Sequence, residues 1–316
     1  MKPAKKQPTK ITTRIPDVLV DFLSGKSENT LRAYSRDLET FREFMGVESK
    51  KTAVDVFLSD GPGKANSLAL KYKDYLINHP DNLSPNTINR KLYALKALVK
   101  TARIVGAVHW NLEFKRLKTE SIRDTRGPGL DVFRTMLDLV RYSDKPRDIR
   151  DYAMLRMFFD MGLRRSSVIN LDIQDIDFYK GTIWIFLKGR MQKKLKELPD
   201  ITLQALKRWV DIRGVGEGPV FVNMDRNKNN TGKRITGNGV YKIIQRLSEK
   251  AGKKTRPHGL RHLAITEAIK ETARRGMSLA EVVKFSDHAN VQTLMIYNDG
   301  IDGVQKKISS MVASLV

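Results

Sequence analysis

Apolar residues recur at helical spacing through the first third of the chain. From Thr30 onward they form one stripe along a helix, with arginines at other positions; the stripe consists of Leu31, Tyr34, Leu38, Phe41 and Phe44. A second helix is predicted over Leu68 to Ile77. A third begins at Ser84-Pro85, where a capping serine precedes a proline suited to the first turn, and Gly106 ends it. Residues 16–114 are therefore predicted to form a helical domain.

Three polar stretches separate or flank these helices. Residues 1–15 are rich in Lys, Thr and Pro and predict a flexible basic tail. Gly61-Pro62-Gly63-Lys64 lacks the Walker spacing and a preceding strand, so a turn is predicted there rather than a phosphate loop. Residues 115–129 carry five Lys or Arg and the breaker Gly127-Pro128-Gly129, which is typical of an interdomain linker.

After residue 129 the pattern changes from helices to a hairpin and back. Thr182 to Leu187 predicts a strand, Lys188-Gly189-Arg190 a turn, and Lys194 to Leu198 the returning strand. Helices are predicted around it, over residues 130–142, 147–162, 165–170, 202–213, 237–251, 259–275 and 278–286. The predicted fold class is mainly α with a small β-sheet (α+β), with a second, mixed domain over residues 130–300.

Composition constrains the partner of this chain. Its 316 residues carry a net charge of +23 and a pI near 10.1, which concentrates polyanions, usually DNA or RNA, around the protein. The sequence contains no apolar run of about 18 residues, so no membrane span is predicted. The first residues lack the apolar segment of a secretion signal, so a cytoplasmic protein is expected. The absence of cysteine excludes disulfides, thiolate zinc ligands and a cysteine nucleophile.

Basic and phenolic residues in the second half of the chain suit chemistry at one phosphodiester. Guanidiniums bind phosphate oxygens through forked donors, imidazoles transfer protons, and a phenol can attack phosphorus. The candidate residues are Arg164, His258, Arg261, His288 and, nine residues after His288, Tyr297.

A metal site is the alternative for two of the histidines. His258 and His262 are four residues apart, a spacing that zinc pairs also use. Arg261 lies between them and disfavours a cation, so no metal site is predicted. His262 is expected to be a packed or hydrogen-bonded residue rather than a catalyst.

The motifs that carry these residues resemble those of the tyrosine recombinases, the lambda-integrase-like site-specific DNA recombinases. Gly162-Leu163-Arg164-Arg165-Ser166 resembles the first-arginine motif, and His258-Gly259-Leu260-Arg261-His262 is similar to the His-x-x-Arg-His motif. The interval from Asp287-His288 to Tyr297 matches that from the second histidine to the nucleophile. The segments Asn29 to Tyr34 and Ser84 to Lys100 resemble the core-binding domain of the same family.

The resemblance implies a strand-transfer enzyme that uses neither metal ion, cofactor nor ATP. Tyr297 attacks the scissile phosphate and forms a 3′-phosphotyrosine, while Arg164 and Arg261 stabilise the extra negative charge of the transition state. His258 assists proton transfer from the phenol, and His288 donates to a phosphate oxygen.

A lysine of the hairpin is implied as the acid for the leaving 5′-oxygen. Lys188, at the strand-to-turn junction, is the best match, and Lys193 and Lys194 remain alternatives. Two positions depart from the family pattern: Ser167 stands where an acidic residue often follows, and Ser286-Asp287 stands where Leu-Gly is common.

Duplex DNA, clamped between the two domains, is the partner that the resemblance implies. Residues predicted to contact DNA are Arg32, Arg36, Arg90, Lys91, Lys96 and Arg190. Residues 301–316 place apolar side chains at helical spacing and are predicted to dock in a neighbouring subunit. A monomer in free solution and a homotetramer on DNA are expected.

Other functions fit parts of this sequence. A type IB topoisomerase would share the chemistry but act as a monomer without paired sites. A non-catalytic basic DNA-binding protein would use Tyr297 structurally. An RNA-binding protein is disfavoured, because the sequence carries no aromatic ribonucleoprotein pattern.

Overall fold

The computed structural model of the chain describes residues 17–59, 61–119, 127–187, 192–224, 231–288, 291–295, 309–310 and 312–314. The chain forms two compact units, residues 1–121 and 122–316. The boundary between the units falls within the segment 115–129 that the sequence predicts as a linker.

The first unit is a helical bundle, and one of its helices begins at the predicted cap Ser84. Its helices are α1 (Val18–Leu23), α2 (Glu28–Met45), α3 (Lys50–Ser59), α4 (Gly61–Ile77) and α5 (Pro85–Ile104). The hydroxyl of Ser27 accepts the backbone N–H of Thr30 at the start of α2, and Ser84 caps α5 in the same way. The apolar stripes meet in a core that includes Phe22, Leu38, Phe41, Phe57, Tyr72, Leu92 and Leu95.

Two helices and one turn of this unit differ from the sequence prediction. Helices α1 and α3 lie outside the predicted segments, because α1 has only six residues and α3 buries only Ala53, Val54 and Phe57. The turn predicted at Gly61 to Lys64 is wrong, since these residues form the first turn of α4. Pro62 is tolerated there because the first turn of a helix needs no backbone N–H bond from it.

The second unit combines helices with a small antiparallel sheet. Its helices are α6 (Leu130–Arg141), α7 (Pro146–Asp160), α8 (Arg165–Ile169), α9 (Asp200–Arg213), α10 (Gly237–Lys250), α11 (Pro257–Arg274), α12 (Leu279–Ser286) and α13 (Gln292–Met295). Its strands are β1 (Ile176–Asp177), β2 (Thr182–Phe186) and β3 (Lys193–Glu197), in the order β1-β2-β3. The fold is therefore mainly α with a small sheet, as predicted, and the predicted antiparallel strand pair is confirmed. The turn predicted at Lys188-Gly189-Arg190 lies outside the described residues.

The register of the hairpin decides which side chains share a face. Ile183 pairs with Lys196 and Ile185 with Lys194, whereas Phe186 pairs with Lys193. Because directly paired residues lie on one face of a sheet, Lys194 and Lys196 share the face of two buried isoleucines. Lys193 lies on the opposite face.

The core of the second unit joins α6, α7, α9, α10 and α11 to this face of the sheet. Its largest fully buried side chains are Trp209, Phe133, Phe158 and Phe221. Within the described part of the chain, no helix is both long enough and apolar enough to cross a membrane.

Candidate active site

The first predicted motif lies in a tight connection between α7 and α8. Gly162 adopts a positive φ of 56°, and a Cβ at this position would lie 2.9 Å from Cε1 of Phe285. Both conditions require glycine. Arg164 follows as the N-cap residue of α8 and is partly exposed. Among the described residues, its side chain has no hydrogen-bond or ion-pair partner.

Arg165, the alternative phosphate ligand, has a different environment. Its side chain donates to the carbonyl of Gly237 at 3.2 Å, at the start of α10. Arg165 therefore links the start of α8 to the start of α10. Arg164 makes no such bond among the described residues.

Arg261 is the residue that connects the predicted motifs. It lies in the first turns of α11 with only 2% of its surface exposed. Its guanidinium donates to the carbonyl of Gly162 and to the carbonyl of Ser286. The first carbonyl lies two residues before Arg164 and the second lies two residues before His288. One buried cation thus brings three segments together that are far apart in the sequence.

His288 lies within hydrogen-bond distance of both a cation and a hydroxyl. Its Nε2 is 3.4 Å from the guanidinium of Arg261, and its Nδ1 is 2.8 Å from Oγ of Ser286. Burial, followed by the charges of Arg261 and Arg164, lowers the pKa of His288 to about 4. In the absence of DNA the imidazole is neutral at pH 7, with Nε2 directed toward Arg261.

The two histidines of α11 have contrasting environments. His258 is the second residue of the helix and is exposed, and its charge is among those that lower the pKa of His288. His262 is 7% exposed, with Nδ1 3.3 Å from the hydroxyl of Thr266. This burial agrees with the expected packed role of His262. Among the described residues, no group of three His, Cys, Asp or Glu is arranged to bind a metal ion.

Three lysines of the hairpin are engaged in ion pairs. Lys193 pairs with Asp175 and lies 5.0 Å from the ring centre of Phe186. Lys194 and Lys196 pair with the two carboxylate oxygens of Asp287, at 2.7 Å and 2.6 Å respectively. Lys188 and Arg190 lie outside the described residues.

The end of β2 is held by a hydrogen bond from α8. The buried hydroxyl of Ser167, which replaces the acid common in the family, donates to the carbonyl of Phe186 at 2.8 Å. This bond joins α8 directly to the end of β2, one residue before Leu187. Ser167 therefore connects α8, which directly follows Arg164, to the strand that precedes Lys188 in the sequence.

The nucleophile predicted from the sequence, Tyr297, lies outside the described residues. Helix α13 ends at Met295, two residues earlier. Leu294 of this helix is 1% exposed and packs with Ile265, Ile269 and Val282 of α11 and α12. The chain is therefore anchored to the helix of Arg261 just before Tyr297. Of the predicted exchange helix, only residues 309–310 and 312–314 are described.

The residues predicted to contact DNA from the first unit fall into two groups. Arg32, Arg36 and Lys96 are exposed. Arg90 pairs with Asp37 while about half of its side chain stays exposed (48%). Lys91 is only 8% exposed, and its ammonium lies 2.8 Å from the hydroxyl of Thr40 and 3.5 Å from Asp37.

In the sequence, Ser286 and Asp287 stand out only as departures from a family pattern, with no role attached to them. The signal for Asp287 was present in the hairpin, where Lys194 and Lys196 alternate on the face of buried isoleucines and so require an acidic partner. Asp287 adopts a left-handed backbone conformation, with φ 53°, and no pattern in the sequence predicts it.

Comparison with known proteins agrees with this geometry. Residues 131–302 match the phage integrase family. A tyrosine recombinase of Synechococcus elongatus is 32% identical over 308 residues, covering 95% of this chain and 94% of the relative. A tyrosine recombinase of Synechocystis is 33% identical over 309 residues, covering 95% and 96%.

Solved structures show the same fold at low sequence identity. The XerH site-specific recombinase bound to a palindromic difH substrate has a TM-score of 0.65 at 17% identity, covering 90% of this chain and 80% of that chain. The Tn1549 transposon integrase in complex with transposon right end DNA has a TM-score of 0.62 at 18% identity, covering 94% and 100%.

With two relatives above 30% identity along nearly its whole length, the chain belongs to the phage integrase family of tyrosine recombinases. It is an enzyme of site-specific DNA recombination. The comparisons favour neither the topoisomerase nor the two non-catalytic alternatives.

Proposed function

We propose that this recombinase breaks and rejoins DNA strands through a covalent bond between Tyr297 and a 3′-phosphate. The phenol oxygen attacks phosphorus, the bond from phosphorus to the 5′-oxygen breaks, and the phenolic proton passes to His258. Lys188 gives a proton to the departing 5′-oxygen. Attack by the 5′-hydroxyl of another strand reverses each step and restores the phosphodiester, so no ATP is consumed.

The observation that carries this proposal is the position of Arg261. Its contacts with Gly162, Ser286 and His288 gather the Arg164 and His288 motifs around one guanidinium. Two guanidiniums and an imidazole in one cluster match the donors that a pentacovalent phosphate needs on its non-bridging oxygens. This positive charge takes the place of a metal ion, so we expect cleavage to proceed in EDTA.

His288 is expected to become a protonated hydrogen-bond donor when the substrate phosphate binds. Its pKa near 4 results from burial beside two arginines. The phosphodiester anion of the DNA, bound between these arginines, offsets their charge and raises the pKa of His288. Ser286 at Nδ1 then orients the ring so that Nε2–H points toward the phosphate.

The assignment of Lys188 as the leaving-group acid is supported by the contacts of its alternatives. Lys193 is paired with Asp175, and Lys194 is paired with Asp287. Each pair gives the lysine a structural partner on its own face of the hairpin. Lys188 follows directly after Leu187, whose strand is tied to the helix of Arg164 through Ser167.

We further propose that DNA is clamped by both units and that four subunits act together on paired sites. Arg32, Arg36 and Lys96 are exposed on α2 and α5 and supply contacts from the first unit. The apolar positions of residues 301–316 supply the helix exchanged between subunits. Truncation after Asp302 is expected to preserve binding to a single site and to impair assembly and recombination, measured by gel mobility on paired sites.

A suicide duplex tests the proposed chemistry. A nick next to the cleavage position lets the short 5′-hydroxyl fragment diffuse away, so the phosphotyrosine accumulates as a covalent complex on a denaturing gel. We expect this complex in EDTA without ATP, and none from Tyr297→Phe. Tyr179→Phe is the matched control, because Tyr179 is a fully exposed tyrosine of the same unit (98%). A complex that persists in Tyr297→Phe would refute the nucleophile assignment.

A further inference from the structure

Asp287 combines three properties that are unusual for one residue. It occupies the C-cap position of α12 in a left-handed conformation, with φ 53° and ψ 38°. Its side chain is only 3% exposed. Its two carboxylate oxygens each pair with a different lysine of β3, Lys194 and Lys196. A buried carboxylate in a strained conformation persists where its contacts compensate both costs.

The contacts of Asp287 extend to the whole turn before His288. Lys196, which pairs with Asp287, also donates to the carbonyl of Phe285 at 2.7 Å. Arg261 donates to the next carbonyl, that of Ser286. Two consecutive carbonyls at the end of α12 are therefore satisfied from two sides, one by the sheet and one by α11.

The same contacts fix the position of the hairpin. Residues 188–191, which include Lys188, lie between β2 and β3 in the sequence, and both flanking strands are anchored. Ser167 anchors the end of β2 through the carbonyl of Phe186. Asp287 anchors β3 through the face that carries Lys194 and Lys196. Lys193, on the opposite face, pairs with Asp175, which lies just before β1.

We propose that Asp287 is a positioning residue for strand cleavage, which holds the β2–β3 hairpin at a fixed distance from the turn that carries His288. This inference rests on the proposed function, in which the hairpin supplies the leaving-group acid and His288 contacts the phosphate. Asp287 touches neither the phosphate nor the leaving oxygen. It acts by keeping the acid and the phosphate-binding residues in register.

A sulfur-substituted substrate separates positioning of the acid from other defects. In a bridging 5′-phosphorothiolate the bond from phosphorus to sulfur breaks, and sulfur leaves as a thiolate without needing a proton. A misplaced acid therefore slows cleavage of the normal phosphodiester and spares the phosphorothiolate. A defect in folding, DNA binding or phosphate contact slows both.

The variants to compare are Asp287→Asn, which removes the charge, and Asp287→Gly, which removes the side chain and relaxes the backbone. We expect each to cleave the normal suicide duplex about 10–100-fold more slowly than the parent, since displacement of a catalytic group by about 1 Å costs this much. On the phosphorothiolate, rates within about threefold of the parent are expected. Lys194→Met combined with Lys196→Met is expected to give the same pattern.

Asp175→Asn is the matched control, because it breaks the ion pair of Lys193 on the other face of β3. It is expected to affect the two substrates equally and only slightly. Normal cleavage by both Asp287 variants, or equal slowing on both substrates, would overturn the positioning role. The parent and Lys188→Ala are measured in parallel: a parent that forms no adduct refutes the proposed function itself, and failure of the phosphorothiolate to rescue Lys188→Ala refutes only that lysine's assignment.

Discussion

Each of the two units buries an aspartate between two cations, and the clusters differ in their surroundings. In the first unit, Asp37 of α2 accepts two consecutive cations of α5 and so joins two helices of a bundle. In the second unit, Asp287 accepts two lysines of β3 and lies next to His288 in the sequence. The first cluster joins two helices of the bundle, whereas the second ties an element of the fold to the candidate catalytic turn.

This difference shows that positive charge in a basic DNA-binding protein serves more than one purpose. Lys91 occupies a helix rich in cations but lies three residues after Ile88 and four before Leu95, which places it on their buried face. Burial raises the pKa of Asp37 and lowers that of Lys91, so the pair is held against the cost of desolvation. Lys96 on the same helix is exposed.

The largest effect is expected from removing Lys188, the hairpin lysine proposed as the leaving-group acid. Lys188→Ala should slow single-turnover cleavage of normal DNA by about 10²–10⁴-fold, the range for loss of a general acid. A 5′-phosphorothiolate should restore nearly the parent rate. Lys193→Ala, which breaks the pair with Asp175, serves as the control and should slow both substrates little. If Lys193→Ala shows the selective defect instead, the acid is Lys193.

Variants of the two arginines of the site should distinguish an effect on catalysis from an effect on stability. Arg164→Ala and Arg261→Ala are each expected to slow cleavage by about 10²-fold or more, since each removes a preorganised donor. Only Arg261→Ala should also lower the free energy of unfolding, by about 1–3 kcal/mol for each carbonyl left unpaired. Urea denaturation measures this difference. Equal stability of the two variants would mean that Arg261 does not organise the site.

In the first unit, a stability loss without a specific DNA effect is expected. Asp37→Ala leaves the buried ammonium of Lys91 without its carboxylate and should destabilise the protein by about 3–5 kcal/mol. Lys91→Met, which fills the same space without charge, should cost less. DNA affinity of Lys91→Met, measured by fluorescence anisotropy, should match the parent. Weakened DNA binding with unchanged stability would show that Lys91 does contact DNA.

The exposed cations should show the opposite behaviour. The parent is expected to lose about 10³–10⁵ in DNA affinity between about 50 and 200 mM salt. Arg36→Ala and Lys96→Ala should each reduce the slope of log affinity against log salt by about 0.9, the value for one phosphate contact. Their free energies of unfolding should stay within about 0.5 kcal/mol of the parent. An unchanged slope would remove that residue from the DNA interface.

The smallest expected effect is the pH dependence that His288 contributes. Its pKa in the folded protein is about 4, below its usual value of 6.5, so between these values the unfolded chain binds the proton and the folded protein does not. The contribution of His288 to the free energy of unfolding should therefore be fully present above about pH 6.5 and be lost as the pH falls toward 4. The ring is partly exposed, so the contribution is on the order of 1 kcal/mol.

Comparison with His288→Asn isolates this contribution. Asp37, Asp151 and Asp160 have pKa values raised by burial and contribute pH dependence of the opposite sign, but these groups are common to both proteins. The difference in unfolding free energy between parent and variant should grow as the pH rises from 4 to 6.5. A constant difference would mean that His288 titrates normally in the folded protein.

The sequence predicted those helices and strands that are determined by interactions between near neighbours in the chain. The serine cap of α5 and the strand residues of the hairpin mark elements whose hydrogen bonds form between near neighbours in the sequence. Helix α3 shows why the remainder escaped prediction: its polar first turn and three buried residues form a stable helix only through packing on the other helices.

In the site, the sequence identified candidate groups but not their support. The link between Asp287 and Lys194 joins residues 93 positions apart, and no local pattern specifies which acid meets which lysine. The burial of Arg261 likewise depends on carbonyls contributed by two distant turns. Motif spacing therefore predicted the chemistry, while the interactions that position it became visible only in the folded chain.

Mass-spectrometric mapping of the DNA-linked peptide tests the central claim most directly, that these motifs converge on one phosphodiester-cleaving site that uses Tyr297. The trapped complex is digested with nuclease and protease, and the modified peptide is sequenced. We expect a nucleotide attached to Tyr297 and to no other residue. A linkage to another tyrosine, or a noncovalent complex alone under conditions in which DNA is bound, would contradict it.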